Sequence, residues 1–449
     1  MPTEHFDAVV IGAGPAGEAA VSRLKDHGLK IALTERELVG GECAYWACIP
    51  SKTLLRPVEA RAEARRAAGL DEPARDWRAA AEYRDYMIRE LDDSKEVDGY
   101  RRDGVTVIKG DARIAGRGRV EVEGRALAAD HLLIATGSET NIPPIDGLEE
   151  AGYWTNREAT TVKDLPKSVL IVGGGPVGVE LSQFFCRFGV ETTLVQSAER
   201  LVDREDPAVS DLAVATLRED GVDVRLGARA QRVRLRDGRR VVTLEGGDEL
   251  SAQEVVIAPG RKPRVEGLGL EEVGIEPSSE GIPIDDQCRA ADGVWAIGDV
   301  TGIMPFTHVG KYQARIATNA IAGRSGRADY RAIPRVVFSD PEIAAVGLTE
   351  RQAREKGIDV ATSRIALPEA IARPHTYETE PRGDLGLVAD RRRQVLVGAW
   401  AVAPLAGEWI HQAALAIKTA TPLEVLRDTV AQFPTFTEGY LAALERLDA

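Results

Sequence analysis

At 449 residues the chain is too long for one hydrophobic core, and two to four domains are expected. Its 44% hydrophobic content suits globular packing, while a formal charge of −14 argues against nucleic acid as the main partner. No uncharged apolar run reaches the roughly 18 residues needed to cross a bilayer. Four cysteines exclude a disulfide scaffold, and Met1-Pro2-Thr3-Glu4 lacks the charge pattern of a secretory signal, so a soluble cytoplasmic protein with no membrane association is expected.

Residues 7–11 are a short apolar run fit for a buried parallel strand, followed by Gly12-Ala13-Gly14-Pro15-Ala16-Gly17 and a helical pattern over 18–27. Strand, glycine loop and helix in that order are the context of a dinucleotide fingerprint. Gly12 and Gly14 permit a tight turn and close approach of a pyrophosphate to amides at a helix N-terminus, and Gly17 lets helix and strand pack. A second strand over 30–34 ends in Glu35, 21 residues after Gly14, near the spacing at which an acid hydrogen-bonds a ribose diol.

The next stretch, Gly40-Gly41-Glu42-Cys43-Ala44-Tyr45-Trp46-Ala47-Cys48-Ile49-Pro50-Ser51-Lys52, holds two cysteines running into a helix start. It reads as a redox pair. Pro50 is preset for a first helical turn and Ser51 is a cap candidate, so the Cys48 sulfur is expected near the positive end of a helix, with Lys52 adding positive charge. A pair of buried thiols and half a metal site are the other readings. Paired CxxC and His clusters are missing, so no metal is expected.

Residues 54–98, rich in Ala, Arg and Glu, predict long helices broken near 69–73, and short strands follow near 105–108 and 119–123. Residues 131–135 form a buried strand closing at Thr136-Gly137, a turn able to bring backbone close to a cofactor. Residues 141–145 read as a linker. The one internal repeat begins at Ser168, where an apolar strand enters Gly173-Gly174-Gly175-Pro176-Val177-Gly178 and an apolar helix containing Glu180. Two fingerprints imply two dinucleotides, with a hydride or electron path between them. The second copy ends its strand 191–195 in Gln196 instead of an acid, with Arg200 and Arg204 following, which leans towards NADPH over NADH. Residues 255–261 repeat the strand-then-glycine pattern at Gly260. A further strand at 294–297 leads to Gly298-Asp299, where the carboxylate is placed to bond a cofactor sugar, and His308 precedes a helix over 311–321. From 335 onward hairpin-like strands and amphipathic helices predict an α+β unit.

These motifs together resemble the class I flavoprotein disulfide reductases, the family of dihydrolipoamide dehydrogenase, glutathione reductase and mercuric reductase. The likeness covers essentially the whole chain and rests on the GGxCxxxxCIPSK frame, both fingerprints, Ala135-Thr136-Gly137, Ala296-Ile297-Gly298-Asp299 and Val337-Phe338-Ser339-Asp340-Pro341-Glu342. It implies an α/β fold with two Rossmann-like dinucleotide-binding domains followed by a C-terminal α+β dimerisation domain. Residues 1–145 would be the first part of the FAD-binding domain, 146–265 the NAD(P)-binding domain, 266–330 the FAD-binding return segment and 331–449 the dimerisation domain of a homodimer. FAD would sit on Gly12, Gly14, Gly17, Glu35 and Asp299, with Lys52, Thr136, Gly137 and His308 also at cofactor positions. NAD(P)H would sit on Gly173, Gly175 and Gly178, with Gln196 and Gly260 nearby. Cys48 would be the thiolate facing the flavin and Cys43 the outer thiol that attacks substrate. Lys52 and Glu180 resemble the pair beside the flavin's reactive nitrogen, and Cys186 and Cys288 match no motif.

Two departures stand out. Trp46 and Ala47 replace small or glycine residues before the inner cysteine. In the tail, Gln432-Phe433-Pro434-Thr435-Phe436-Thr437-Glu438 resembles the family's HPTxxE box with its histidine replaced by Phe433, which carries no proton. Glu438 is the first candidate to substitute for it and His411 the second. The expectation is an FAD-dependent NAD(P)H oxidoreductase acting on a small thiol-reactive or quinone-like acceptor; the alternatives are a dihydrolipoamide dehydrogenase, another true disulfide reductase, or a mercuric-type metal reductase.

Overall fold

The computed structural model describes residues 3–449. The chain forms two compact units: Met1–Pro50, Glu82–Asn141 and Gly260–Asp329 make the first, and Ser51–Ala81, Ile142–Pro259 and Tyr330–Ala449 the second.

In the first unit, strand Glu4–Ile11 lies between the parallel strands Ile31–Glu35 and Arg125–Ile134, and Thr106–Lys109 and Val294–Ala296 extend the parallel sheet outward. Arg289–Ala291 closes one edge antiparallel. Ala112–Gly116 and Arg119–Val122 form an antiparallel flap on Arg125–Ile134. Both faces of the sheet are covered, so its strands read as continuous apolar runs rather than alternating ones. Ala8 and Val10 share a core with Val21 and Leu24 of helix Pro15–Asp26 and Ala314 and Ala317 of helix Thr307–Ile321. Val9 and Ile11 join Ile114, Val120 and Val122 of the flap in another. Each buried Val, Leu or Ile among them contributes about 1.5–3 kcal/mol by leaving water.

The second unit repeats the parallel arrangement on a smaller scale, with four strands in the order Asp223–Arg225, Glu191–Val195, Ser168–Val172, Glu254–Ile257. A three-stranded antiparallel sheet, Ala230–Arg236, Arg239–Leu244 and Glu249–Ala252, accompanies it. The C-terminal part builds a five-stranded antiparallel sheet in the order Pro334–Val337, Glu342–Gly347, Val395–Ala403, Asp384–Asp390, Val360–Ala366. One core joins the two parts: Val169, Phe184 and Val209 pack with Ile343, Trp400 and Val402.

Two local expectations are corrected. Ser51 is not a helix cap, because the helix already starts at Cys48 and runs to Arg66, with Pro50 in the first turn where its missing N–H costs nothing. The same helix tolerates Pro57 in its interior. Helices Trp77–Met87 and Ser94–Arg102 are separated by Arg89, Glu90 and Leu91, all left-handed at φ of 54°, 52° and 62°, an interruption that no glycine or proline announces. Among the described residues no helix is long and apolar enough to cross a membrane.

Candidate functional site

Both fingerprint loops have the shape a dinucleotide demands. Gly12 has φ +101°, and a Cβ there would meet the Ala135 carbonyl oxygen at 2.4 Å; a Cβ on Gly17 would meet the Gly12 oxygen at 2.0 Å. A Cβ on Gly14 would meet nothing within 4 Å. The outer glycines are thus needed for packing of strand, turn and helix, and the middle one leaves open the space where a pyrophosphate approaches the N-terminus of Pro15–Asp26. The second loop repeats this: a Cβ on Gly173 or Gly178 would collide with backbone at 2.4 and 1.8 Å, and one on Gly175 would meet nothing within 4 Å. The residues fit two dinucleotides.

The strand ends distinguish the two loops. Glu35 accepts from Ala13 N–H at 2.7 Å and Glu37 N–H at 2.8 Å, and Gln196 holds the equivalent place by accepting from Gly174 N–H at 3.0 Å through Oε1. The Gln196 amide also donates to the Arg200 carbonyl at 3.2 Å. Asp299 accepts from Ser138 Oγ at 2.6 Å, and Arg261 Nε donates to that same hydroxyl oxygen at 2.8 Å. Burial pushes the Asp299 carboxyl up, against the pull of Ser138 and Arg261. Thr136 Oγ donates to the Arg264 carbonyl at 2.8 Å, and Gly137 with φ +73° precedes the short ladder of Ser138–Thr140 with Arg261–Pro263. Gly260, at φ +145°, opens the other strand of that ladder and accepts from Asn141 N–H at 3.0 Å.

The cysteine stretch is seated on the first fingerprint. Gly40 N–H donates to the Ala13 carbonyl at 2.8 Å; Gly40 has φ +117°, which side chains rarely adopt, and a Cβ on Gly41 would meet Gly14 Cα at 2.7 Å, so both positions require glycine. Cys43 lies on the short helix Gly41–Tyr45, and Cys48 opens the long one. Thr307, first residue of helix Thr307–Ile321, brings its hydroxyl to 3.2 Å from Cys43 Sγ and 3.7 Å from Cys48 Sγ. The Cys43 thiol is pushed strongly up by its hydrogen bond to Cys48, by burial and by negative charge on Cys48, while Thr307 and Lys311 pull it down. A dithiol of this kind keeps its proton on Cys43 when the neighbouring sulfur is ionised.

In the second unit, Lys52 Nζ donates to Glu180 Oε2 at 2.7 Å. The other oxygen, Glu180 Oε1, accepts from Phe338 N–H at 3.0 Å, and the Lys52 ammonium lies 4.7 Å from the Phe338 ring centroid. Glu180 has a side chain 8% exposed, held by these two donors.

Residues 6–322 match the pyridine nucleotide-disulphide oxidoreductase family, and residues 333–444 match its dimerisation domain. The chain belongs to that family. The mercuric reductase of Lysinibacillus sphaericus is 36% identical over 455 residues, covering 98% of this chain and 82% of that protein. The dihydrolipoyl dehydrogenase of Thermus scotoductus is 33% identical over 455 residues, covering 98% and 97% respectively. Among solved structures, the Cu(II) complex of the HOCl-induced flavoprotein disulfide reductase RclA from Escherichia coli superposes with a TM-score of 0.88 at 28% identity, over 99% of this chain and 100% of that one. The protein is therefore an FAD-dependent pyridine nucleotide-disulfide oxidoreductase, a flavoprotein of α/β fold that uses FAD and NAD(P)H.

Within this oxidoreductase the structure brings together Cys43 with Cys48, Lys52 with Glu180, and each set of fingerprint glycines with its strand-end side chain. His308 is exposed and stacked on Phe306 at 5.2 Å, next to the threonine that meets the sulfurs. In the tail, Phe433 is 66% exposed and Glu438 Oε2 accepts from Thr435 N–H at 3.0 Å, capping its own turn; His411 is exposed. Cys288 is buried, and Cys186 Sγ donates to the Asp220 carbonyl at 3.1 Å, so neither belongs to the redox pair. Sequence reasoning missed Thr307, Ser138, Arg261 and Phe338. The helix expected over 311–321 starts instead at Thr307, so Thr307 and His308 lie in its first turn and not ahead of it.

Proposed function

We propose that the enzyme passes two electrons from NAD(P)H through FAD and the Cys43–Cys48 disulfide to a small thiol-reactive or quinone-like acceptor. The observation that carries this proposal is a Thr307-bridged dithiol combined with a tail box whose position 433 is an exposed phenylalanine with no proton to exchange. FAD supplies two-electron storage between the nicotinamide and the dithiol when bound. Gly12, Gly14, Gly17, Glu35, Thr136, Gly137, Asp299 and His308 belong to its binding surface. Gly173, Gly175, Gly178, Gln196 and Gly260 belong to that of the pyridine nucleotide, with NADPH the preferred form because Gln196 is neutral and Arg200 and Arg204 follow it.

Cys48 carries the first negative charge of the reduced pair, and Cys43 is the outer thiol. Lys52 supplies positive charge towards the reduced flavin, and Glu180 keeps its ammonium aimed. With a quinone, the dithiol gives up two electrons and two protons and closes its S–S bond, and the quinone becomes the quinol. No leaving thiolate needs protonation in that exchange. Glu438 is the one titratable side chain between residues 432 and 438 and supplies what acid–base function the tail retains. The domains divide at about 145, 265 and 330, and residues 331–449 join two subunits in a homodimer in which one tail completes the other subunit's dithiol site. Soft metal ions form a second acceptor class, favoured by two adjacent sulfur donors and by the similarity to mercuric reductases.

Anaerobic titration with NADPH tests the relay. Wild type and Cys43→Ser should develop the long-wavelength absorbance of a thiolate in charge transfer to the flavin, and Cys48→Ser should lose it. Survival of that band in Cys48→Ser contradicts the assignment.

A further inference from the structure

One face of helix Pro176–Arg187 grips the segment that follows strand Pro334–Val337. Glu180 accepts from Phe338 N–H at 3.0 Å, Gln183 Oε1 accepts from Asp340 N–H at 2.7 Å, and Arg187 Nη1 donates to the Asp340 carboxylate at 2.8 Å. Gln183 Nε2 and Arg187 Nη2 both return to the Asp340 carbonyl at 3.1 Å. Two further guanidiniums, Arg66 at 2.8 Å and Arg382 at 2.9 Å, close on the same carboxylate. Burial alone would raise the Asp340 carboxyl, yet Arg187, Arg382 and Arg66 outweigh it and hold it below the usual range. Backbone and side-chain bonds at 338 and 340 therefore leave the intervening chain one position relative to the helix that carries Glu180.

The Phe338 ring is what that fixed segment presents to Lys52. Its centroid is 4.7 Å from Nζ, so the ammonium touches a carboxylate oxygen and the negative face of an aromatic ring. The ring remains 40% exposed. Lys52 itself has four rotatable bonds and one strong partner, which leaves its ammonium free to swing about Glu180 unless a second surface confines it. We propose that Phe338 is a positioning residue for Lys52, confining the ammonium over the ring so that Glu180 fixes its direction as well as its distance. This rests on the role given to the Lys52–Glu180 pair under the proposed function. Asp340, with its three arginines, is the anchor that makes the ring position reproducible.

The test uses FAD-loaded Phe338→Leu, Phe338→Tyr and Lys52→Met in two measurements: single-turnover flavin reduction by NADPH, and the rate at which Lys52 is reductively methylated, followed by peptide mass. Leucine keeps the apolar bulk and removes the π face, and tyrosine keeps the ring. Phe338→Leu should slow flavin reduction about three- to tenfold and raise Lys52 methylation by a similar factor, while Phe338→Tyr retains wild-type behaviour in both. If Lys52→Met slows reduction but Phe338→Leu matches wild type in both measurements, the positioning role is wrong and the Lys52 role stands. Equal losses in the Leu and Tyr variants also overturn it, since they mark a packing effect. If Lys52→Met reduces flavin like wild type, the role of the pair fails and takes this inference with it.

Discussion

Thr307 shows how one hydroxyl can divide the work of two sulfurs. It donates to Cys43, pulling down a thiol that Cys48 and burial push strongly up, and Lys311 one turn further along the helix pulls the same way. Removing either should raise the Cys43 titration further. Iodoacetamide alkylation of Cys43 in the reduced enzyme, followed by peptide mass against pH, should shift to higher pH in Thr307→Val and in Lys311→Met; an unchanged or downward shift contradicts the role given to these residues. The cysteines and fingerprint glycines were legible because chemistry fixes their spacing within a few residues. Thr307 was not, because it lies 259 residues from Cys48 and only folding brings them together. Gln196 was legible as a departure from the acid at Glu35, and the structure adds that its oxygen keeps the bond to the glycine loop. Gln196→Glu keeps that oxygen but loses the amide's bond to the Arg200 carbonyl, and should lower the NADPH-over-NADH ratio of kcat/KM by about tenfold, roughly the factor that 1.4 kcal/mol of charge repulsion supplies. An unchanged ratio places nucleotide choice elsewhere.

At the scale of elements, the segment 338–342 concentrates buried charge. Asp340→Asn leaves Arg66 and Arg382 paired with Glu378 and Arg187 with Asp220 but removes their charged acceptor at 340, and should lower stability by about 1–3 kcal/mol in denaturant titrations. Because the folded Asp340 carboxyl is depressed, its contribution is present above the unfolded carboxylate value of about 3.9 and is lost as pH falls through the folded one. Glu342 has the opposite sign. Burial first, then Glu59, Glu408 and Asp340, push it up to about 7 against the bond from Gly407 N–H. Its contribution is fully present below the unfolded value of about 4.3 and is lost as pH rises through 7. Glu342→Gln keeps an acceptor for Gly407 and should gain stability over wild type at pH 8 but not at pH 4.5; an equal effect at both values contradicts the assignment. Strand positions were largely readable, since the buried runs at 169–172 and 191–195 have no competing helical period. Helix starts were less so: the N-terminus at Cys48 instead of a Ser51 cap, and the left-handed turn at Arg89–Leu91, depend on contacts the local sequence does not encode.

For the whole molecule, membership of the pyridine nucleotide-disulfide oxidoreductase family was written in motifs spread from Gly12 to Glu438. The acceptor is different, because in the homodimer proposed above it is decided where a second subunit's tail would meet the dithiol. There the protein offers Phe433, with Glu438 occupied in capping Thr435 N–H. General acid–base catalysis is worth about 10²- to 10⁴-fold, and disulfide substrates need it to release their thiolates, whereas quinones and soft metal ions do not. The most direct measurement compares steady-state turnover of lipoamide and of a quinone by wild type and Phe433→His. Wild type should reduce lipoamide at least about 10²-fold more slowly than the quinone, and the histidine should raise lipoamide turnover by at least about tenfold while leaving quinone turnover within about twofold. Wild-type lipoamide turnover of about 10² per second, at the upper part of the usual enzyme range, would contradict the account.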